Sequence, residues 1–444
     1  MKTTDLRWSR VAIVGSGISG LVVAHGLKDL AHITLFEAST YFGGHTHTVD
    51  VTLPDAQGRQ VTHGVDTGFL VFNRKTYPGL LAMFAELGVD IADSDMSFSV
   101  QVPEAFGAQR LEWNGANLDT VFAQRSNLWR PRFWRLLKDI LRFNQLATEL
   151  AESQQDEQLW MPLAEFLDRQ GFGQDFQNWY LLPMLGCIWS CPTDQMLQFP
   201  VATMVRFCHN HGLIQVNDRP QWLTVRGGAR HYVDKIIANL IDARLNMPVT
   251  RIERDAAGVW IHTPHSSERF DEVVLATHSD QALRLLAAPT RQETDVLSHI
   301  RYHPNRAVLH TDVSVMPERS KAWAAWNYER AASSDHAAGE VCLHYWLNRL
   351  QPLPFKDPVF VSLNPLRPIR PEHVLKEMNY EHPVFDLAAI AAQQRVGSIQ
   401  GQQHTWFAGA WMGYGFHEDG LRSARSVVQA WARAHGAQAV EVGA

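Results

Sequence analysis

Val11-Ala-Ile-Val14-Gly15-Ser16-Gly17-Ile18-Ser19-Gly20 is the stretch that decides the architecture. Val11 to Val14 is a short, wholly apolar run, as expected of a strand buried on both faces of a parallel sheet. The three glycines follow at once. Leu21 to Leu30 then has helical spacing, and His32-Ile-Thr-Leu-Phe36 reads as a second strand ending at Glu37. Glycines at this spacing are weak evidence alone. Placed between a strand and a helix, with an acid seventeen residues beyond Gly20, they mark a βαβ unit that binds a dinucleotide.

The chemistry explains the residue types. Gly15 permits the tight turn, Gly17 lets backbone approach a pyrophosphate, and Gly20 lets helix and strand pack closely. The helix N-terminus adds free N–H groups and a positive dipole end, and Ser16 and Ser19 sit in the same loop. Glu37, followed by Ala38, can accept hydrogen bonds from both ribose hydroxyls. Its charge repels a 2′-phosphate, so NADP is disfavoured.

Working outward, the 444 residues exceed a single small module, and 45% hydrophobic with 19% charged residues is too apolar for disorder. A formal net charge of −6 predicts no whole-molecule attraction to nucleic acid. The four cysteines include no CxxC pair, so neither a zinc ribbon nor a disulfide framework is expected, and no metal is assigned. No apolar run approaches the length of a membrane span, and the N-terminal apolar stretch is too short for a signal peptide. The expected location is the cytoplasm, with attachment to the inner face of the membrane left open. Fifteen tryptophans predict large apolar cavities or interfaces.

A second glycine pair follows the ribose acid in Tyr41-Phe-Gly43-Gly44-His45, and further motifs follow in order. These are Thr224-Val-Arg-Gly227-Gly228, Pro248-Val249-Thr-Arg-Ile252, Asp271-Glu-Val-Val-Leu-Ala276-Thr277, and Gly409-Ala410-Trp411-Met-Gly-Tyr-Gly-Phe-His417-Glu-Asp-Gly420-Leu421. Together they resemble the flavin-containing amine oxidase superfamily, which includes protoporphyrinogen oxidases and phytoene desaturases. The resemblance implies non-covalent FAD. It also implies a Rossmann-type α/β domain, from residues 1–76, 221–290 and 400–444, interleaved with an α+β substrate domain from 77–220 and 291–399. Val249 would meet the adenine. Gly43, Gly44, His45, Gly68, Phe69, Ala276, Thr277, Gly409, Ala410, Gly420 and Leu421 would line the cofactor. Members of the superfamily carry arginine on both sides of the glycine pair, where this chain has Tyr41 and His45.

In this superfamily the flavin takes a hydride from substrate carbon, so catalytic candidates are sought near N5. Many members keep a lysine on a substrate-domain strand. Here Arg306-Ala-Val-Leu-His310-Thr-Asp312 has none, and His310 is the nearest candidate. The C-terminal motif offers Trp411 and His417. Cys187-Ile-Trp-Ser-Cys191-Pro192, with the C-terminal motif, resembles a bacterial subgroup of FAD-dependent oxidoreductases encoded near cyclopropane-fatty-acid-synthase-like methyltransferases. That resemblance implies oxidation or desaturation of a lipid acyl chain. Oxidation of an amine C–N bond is the alternative, and a non-catalytic FAD-binding protein is the distant one. Cys187 and Cys191 are either channel-lining groups or small buried hydrophobes.

Residues 125–142 carry five Arg and one Lys against one Asp. Phe133, Leu136, Leu137, Ile140 and Leu141 can share one helical face, with Arg132, Arg135, Lys138 and Arg142 on the other. The pattern fits an interfacial helix on anionic lipid or a core helix with a solvated basic face.

Overall fold

The computed structural model describes residues 8–153, 157–215, 219–332 and 341–437. Residues 1–7 and 438–444, the ends of the expected cofactor domain, lie outside them. The first strand spans Arg10–Val14, the helix Ile18–Leu27 and the second strand His32–Phe36. The helix begins three residues before the apolar spacing predicts. Its first turn is Ile18-Ser19-Gly20, whose small residues serve close packing and show no amphipathic period.

These strands belong to a five-stranded sheet ordered Asp242–Arg244, His32–Phe36, Arg10–Val14, Glu272–Leu275, Thr405–Phe407. Every pairing in it is parallel. Ala12, Ile13 and Val273 are fully buried, as an apolar run covered on both faces requires. Helix Ile18–Leu27 lies between this sheet and the long helix His417–Ala434. A Cβ at Gly20 would lie 1.9 Å from the Gly15 carbonyl oxygen, and one at Gly420 would lie 2.7 Å from Ile18 Cγ2. Both crossings therefore require glycine.

A seven-stranded sheet forms the second unit. Its order is Val374–Val384, Arg301–His310, Phe360–Leu363, Cys342–Trp346, Trp326–Glu329, Phe98–Phe106, Gln109–Asn114. Only the Trp326–Glu329 to Phe98–Phe106 pairing is parallel. Residues 77–220 combine their helices with the strands Ile91–Ser94, Phe98–Phe106 and Gln109–Asn114. The helices Arg291–Leu297 and Leu387–Gln393, which fall in the expected substrate pieces, bury Val296, Leu297, Ala389 and Ala392 in the core that contains Ala12, Phe36 and Leu275.

After Phe176 the chain forms a π-turn at Gln177–Leu181 followed by a helix at Leu182–Trp189. Pro183 has no N–H to give the preceding turn. The Trp179 carbonyl instead accepts from Trp113 Nε1 at 3.2 Å.

The basic segment forms a short 3₁₀ turn, Arg125–Trp129, and the helix Pro131–Glu152. Its buried face is Phe133, Leu136, Phe143 and Ala147. Leu141 faces solvent, which corrects its expected place among the buried residues. Arg132 Nε donates to Asp175 Oδ2 at 2.8 Å, and Arg142 lies 3.9 Å over the Phe172 ring and donates to the Gln170 carbonyl. These two arginines fasten the helix to the 170–175 loop and are not a free basic face.

Replacement of Gly20 by alanine forces the helix off the first strand. The cost expected of such overpacking is about 3 kcal/mol. Chemical denaturation should show a lower midpoint, and the purified variant should carry little bound dinucleotide.

Candidate functional site

The loop after the first strand is held before any ligand arrives. Gly15, at φ +98°, donates its N–H to the Phe36 carbonyl at 2.9 Å. Ser16 donates from both N (2.9 Å) and Oγ (2.5 Å) to Glu37 Oε2, and Ser39 N donates to Oε1 at 2.8 Å. Glu37 is thereby fixed at the rim of a cavity, with Oε2 filled by Ser16 and Oε1 keeping acceptor capacity for a hydroxyl. The first helical hydrogen bond runs from Leu21 N to Gly17 O, so Ile18, Ser19 and Gly20 N–H have no partner within the helix. A Cβ on Gly17 would meet nothing within 4 Å. That open side beside a helix N-terminus is a cradle of the kind that takes a phosphate.

The second glycine pair closes on the first. A Cβ at Gly44 would lie 3.1 Å from Gly17 Cα, and one at Gly68 would lie 2.3 Å from the His45 carbonyl oxygen. That same carbonyl accepts from Phe69 N at 2.8 Å. The Phe69 ring stacks on His417 at 3.7 Å between centroids, and His417 Nε2 lies 2.9 Å from Thr46 Oγ1. Burial lowers the His417 imidazole to about 3, with His45 adding to the effect, so the ring is neutral. Trp411 donates Nε1–H to the Thr277 carbonyl at 3.2 Å and covers Gly409.

These segments enclose one cavity of about 790 Å³, a size suited to a large ligand. Gly15, Ser16, Gly17, Ser19, Glu37, Ala38 and Val249 line one end. Gly43, Gly44, His45, Gly68, Phe69, Ala276, Thr277, Gly409, Ala410, Trp411 and His417 line its course. Met96, Cys187, Trp189, Phe207, Leu213, Trp222, Trp326, Tyr345 and Phe385 add an apolar wall. Cys187 is on this wall and Cys191 is not. Burial pushes both thiols up, Cys191 to about 12, so neither is a thiolate at neutral pH.

Four expected residues stand elsewhere. Gly20 packs on Gly15, behind the loop. Gly420 spends its N–H on the Phe416 carbonyl, its carbonyl accepts from Ser19 Oγ, and Leu421 is fully buried in the helix crossing. Their role is to seat the two helices. His310 is off the cavity altogether. Asp312 N donates to its Nδ1 at 3.0 Å, so Nε2 carries the proton and donates to Ser362 Oγ at 2.7 Å. Burial lowers His310 to about 3. With both ring nitrogens committed inside the second sheet, it has no route to the cavity, which corrects its expected place near N5.

Other residues of the site were not singled out. Tyr380, Glu381 and His382 reach the cavity from strand Val374–Val384, and His278 and Tyr302 join them. The alternation Met378, Tyr380, His382 is a period-2 signal, obscured by Lys376, Glu377, Glu381 and Pro383. Asp66 accepts from Ala229 N at 2.9 Å and from Gln351 Nε2 at 3.0 Å, joining three distant segments beneath Gly68. Burial raises its carboxyl to about 7. Glu418 accepts from Gly79 N (3.0 Å) and Leu80 N (2.9 Å), capping helix Pro78–Leu87 from the other end of the chain.

His310→Ala should lower thermal stability, because Ser362 and the Asp312 N–H lose a buried partner at about 1–3 kcal/mol each. Bound ligand and reaction rate should match the parent. A slowed reaction at unchanged stability would restore His310 to the chemistry.

The family model for flavin containing amine oxidoreductases matches residues 18–340. Among solved structures, cyclohexylamine oxidase from Brevibacterium oxydans is similar at 16% identity and a TM-score of 0.67, covering 97% of this chain and all (100%) of its own. A fatty acid isomerase from P. acnes that produces CLA is similar at 17% identity and TM-score 0.65, covering 95% of this chain and 98% of its own. A putrescine oxidase bound to putrescine is similar at 16% identity and TM-score 0.62, over 96% of this chain and 99% of its own. No curated protein sequence matches the chain. At such identities the solved structures establish the fold alone. The family match covers most of the chain, so FAD is the cofactor, and the chain belongs to the flavin-containing amine oxidoreductase family.

Proposed function

We propose that this FAD-dependent oxidoreductase oxidises or desaturates an apolar substrate, an acyl chain of a lipid. The observation that carries the reading is the substrate wall. Its nine side chains are aliphatic, aromatic or thiol, and the ionisable groups of the cavity, among them Glu381 and His382 on the second unit's own strand, stand outside this set. Such a wall excludes water and has no carboxylate to pair with an ammonium group. The fatty acid isomerase shares this fold, and that likeness supports the lipid class without identifying the substrate.

FAD, when bound, supplies the hydride acceptor. The chain's residues do the rest. Glu37 holds the ribose, and the Gly15–Gly17 loop and the end of helix Ile18–Leu27 hold the pyrophosphate. Val249 borders the adenine end. Trp411, Ala410 and His417 border the ring end, where His417 stays neutral and holds Thr46. In this reading the boundary of the substrate domain falls near residues 300 and 386, because the helices on the far sides of those points share the parallel sheet's core.

Delivery of a lipid fits the outward face of helix Pro131–Glu152. Trp129 is 87% exposed and Leu141 60%, with Trp134 and Leu128 also exposed. Arg135 and Lys138 lie on that face without an ion-pair partner among the described residues. No described helix is long and apolar enough to cross a membrane. Surface aromatics with free cations suit the headgroup region of an anionic bilayer.

Three measurements test the proposal. Anaerobic titration with phospholipid acyl chains should bleach the oxidised flavin absorbance. Bleaching by amines alone would assign C–N oxidation instead. Glu37→Ala should weaken FAD retention at least tenfold in equilibrium ultrafiltration, since a charge-assisted hydrogen bond contributes about 1.5–3 kcal/mol. The parent should sediment with phosphatidylglycerol vesicles and not with phosphatidylcholine vesicles. At about 1 kcal/mol per basic residue, Arg135→Gln with Lys138→Gln should cost roughly 30-fold in that binding and leave FAD content unchanged. A parent that ignores anionic vesicles at low salt would make the face an ordinary surface.

A further inference from the structure

Histidines gather on one side of the cofactor cavity. The His45 ring lies 5.2 Å from Tyr380, 5.5 Å from His382 and 6.3 Å from His278, between ring centroids. All four residues line the cavity. His45 follows Gly44, which lies against Gly17, so its backbone adjoins the cradle at the end of helix Ile18–Leu27 and its side chain lines the same cavity. His45 Nε2 is buried and has no hydrogen-bond partner among the described residues. A buried, unpartnered ring nitrogen carries a desolvation cost that the fold has left standing.

We infer that His45 takes up a proton when FAD binds and donates it as a charged hydrogen bond to the cofactor's pyrophosphate. The inference rests on the reading of the Gly17 cradle as the pyrophosphate site. Chemically, the step is one proton from solvent onto the His45 imidazole, with no bond to the cofactor made or broken. The bound anion is then neutralised in part by imidazolium.

The surroundings set the direction. Within the protein's own groups His45 is lowered to about 4, first by burial and then by His278, while Glu381 opposes the shift. His382 is lowered to about 3 by burial and by His45, His278 and His303. The groups facing His45 are Glu381, His382 and Tyr380 on strand Val374–Val384, Tyr302 and His303 on Arg301–His310, His278 with Asp280 and Arg284 beyond it, and His417 on the last helix. On its own segment stand Tyr41 and His47, the latter 3.4 Å from Lys376 Nζ. Glu381 Oε2 is drawn toward His278 Nδ1 at 3.3 Å. Of these, Arg284 and Lys376 are permanent cations at neutral pH. Lys376 sits on His47 and Arg284 acts on His278, so neither is placed to serve the His45 position. A doubly anionic pyrophosphate at Gly17 reverses the balance and raises the His45 imidazole.

The sign follows from linkage. A group whose pKa is higher with ligand than without makes binding tightest below the ligand-free pKa. Affinity then falls, at most tenfold per pH unit, until the ligand-bound pKa is passed.

The test is FAD dissociation from the holoenzyme, read by free-flavin fluorescence after dilution and ultrafiltration between pH 5.5 and 8. The parent Kd should rise at least tenfold across that range. His45→Gln should bind FAD more weakly with a flat profile. His45→Arg, with a permanent charge, should also flatten the profile. A parent Kd independent of pH overturns the inference, as does a His45→Gln variant that keeps the parent slope. Protein that carries no FAD at any pH overturns the reading of the cavity itself. If His45→Gln does not fold, the parent profile and His45→Arg still decide.

Discussion

The contact between Gly20 and the Gly15 carbonyl governs the molecule. A single methyl group at Gly20 would stand 1.9 Å from that oxygen, so helix and first strand meet there with no side chain between them. Gly15 is equally confined, since its own Cβ would lie 2.8 Å from the Ala276 carbonyl. This closeness aims the N-terminus of helix Ile18–Leu27 into the cavity and lets Gly44 rest against Gly17. The helix crossing at Gly420, the Ser19 to Gly420 hydrogen bond and the stacking of Phe69 on His417 all depend on the position it sets.

Much of the cofactor half could be read from the chain. The strand–glycine–helix–strand–acid order allows few other folds, and each residue in it acts through local backbone geometry that a single sequence encodes. The limits were set by long-range contacts. Gly420 and Leu421 read as cavity residues because they follow the C-terminal motif, yet the helix starts at His417 and carries them past the opening into the crossing. His310 read as the nearest candidate for chemistry on a strand without lysine. The register that pairs Leu309 with Val361 and His310 with Phe360 puts it beside Ser362, and no local pattern carries a register.

Charge is distributed unevenly between the two halves of the cavity. The cofactor side holds Glu37, Arg284 and neutral histidines, the second sheet adds Glu381 and His382 beside them, and the apolar wall residues carry no charged side chain. Burial keeps these imidazoles neutral, so they hold hydrogen bonds while adding little field of their own. An anion entering this half meets groups able to gain a proton, and an apolar chain entering the other meets a dry surface.

Chain order adds a kinetic consequence. Strand Thr405–Phe407 completes the parallel sheet, and helix His417–Ala434 packs on a helix some 400 residues earlier, through Ser19 and Gly420. Closing a loop tenfold longer costs only about 2 kcal/mol more in chain entropy, so equilibrium stability bears it easily. Folding rate bears it less well, because pairings so distant in sequence form late. During synthesis the edge of strand Glu272–Leu275 therefore waits, unpaired and apolar, for residues near 405. For that interval the nascent chain exposes a template for wrong strand pairing, and the arrival of strand Thr405–Phe407 is what ends the exposure.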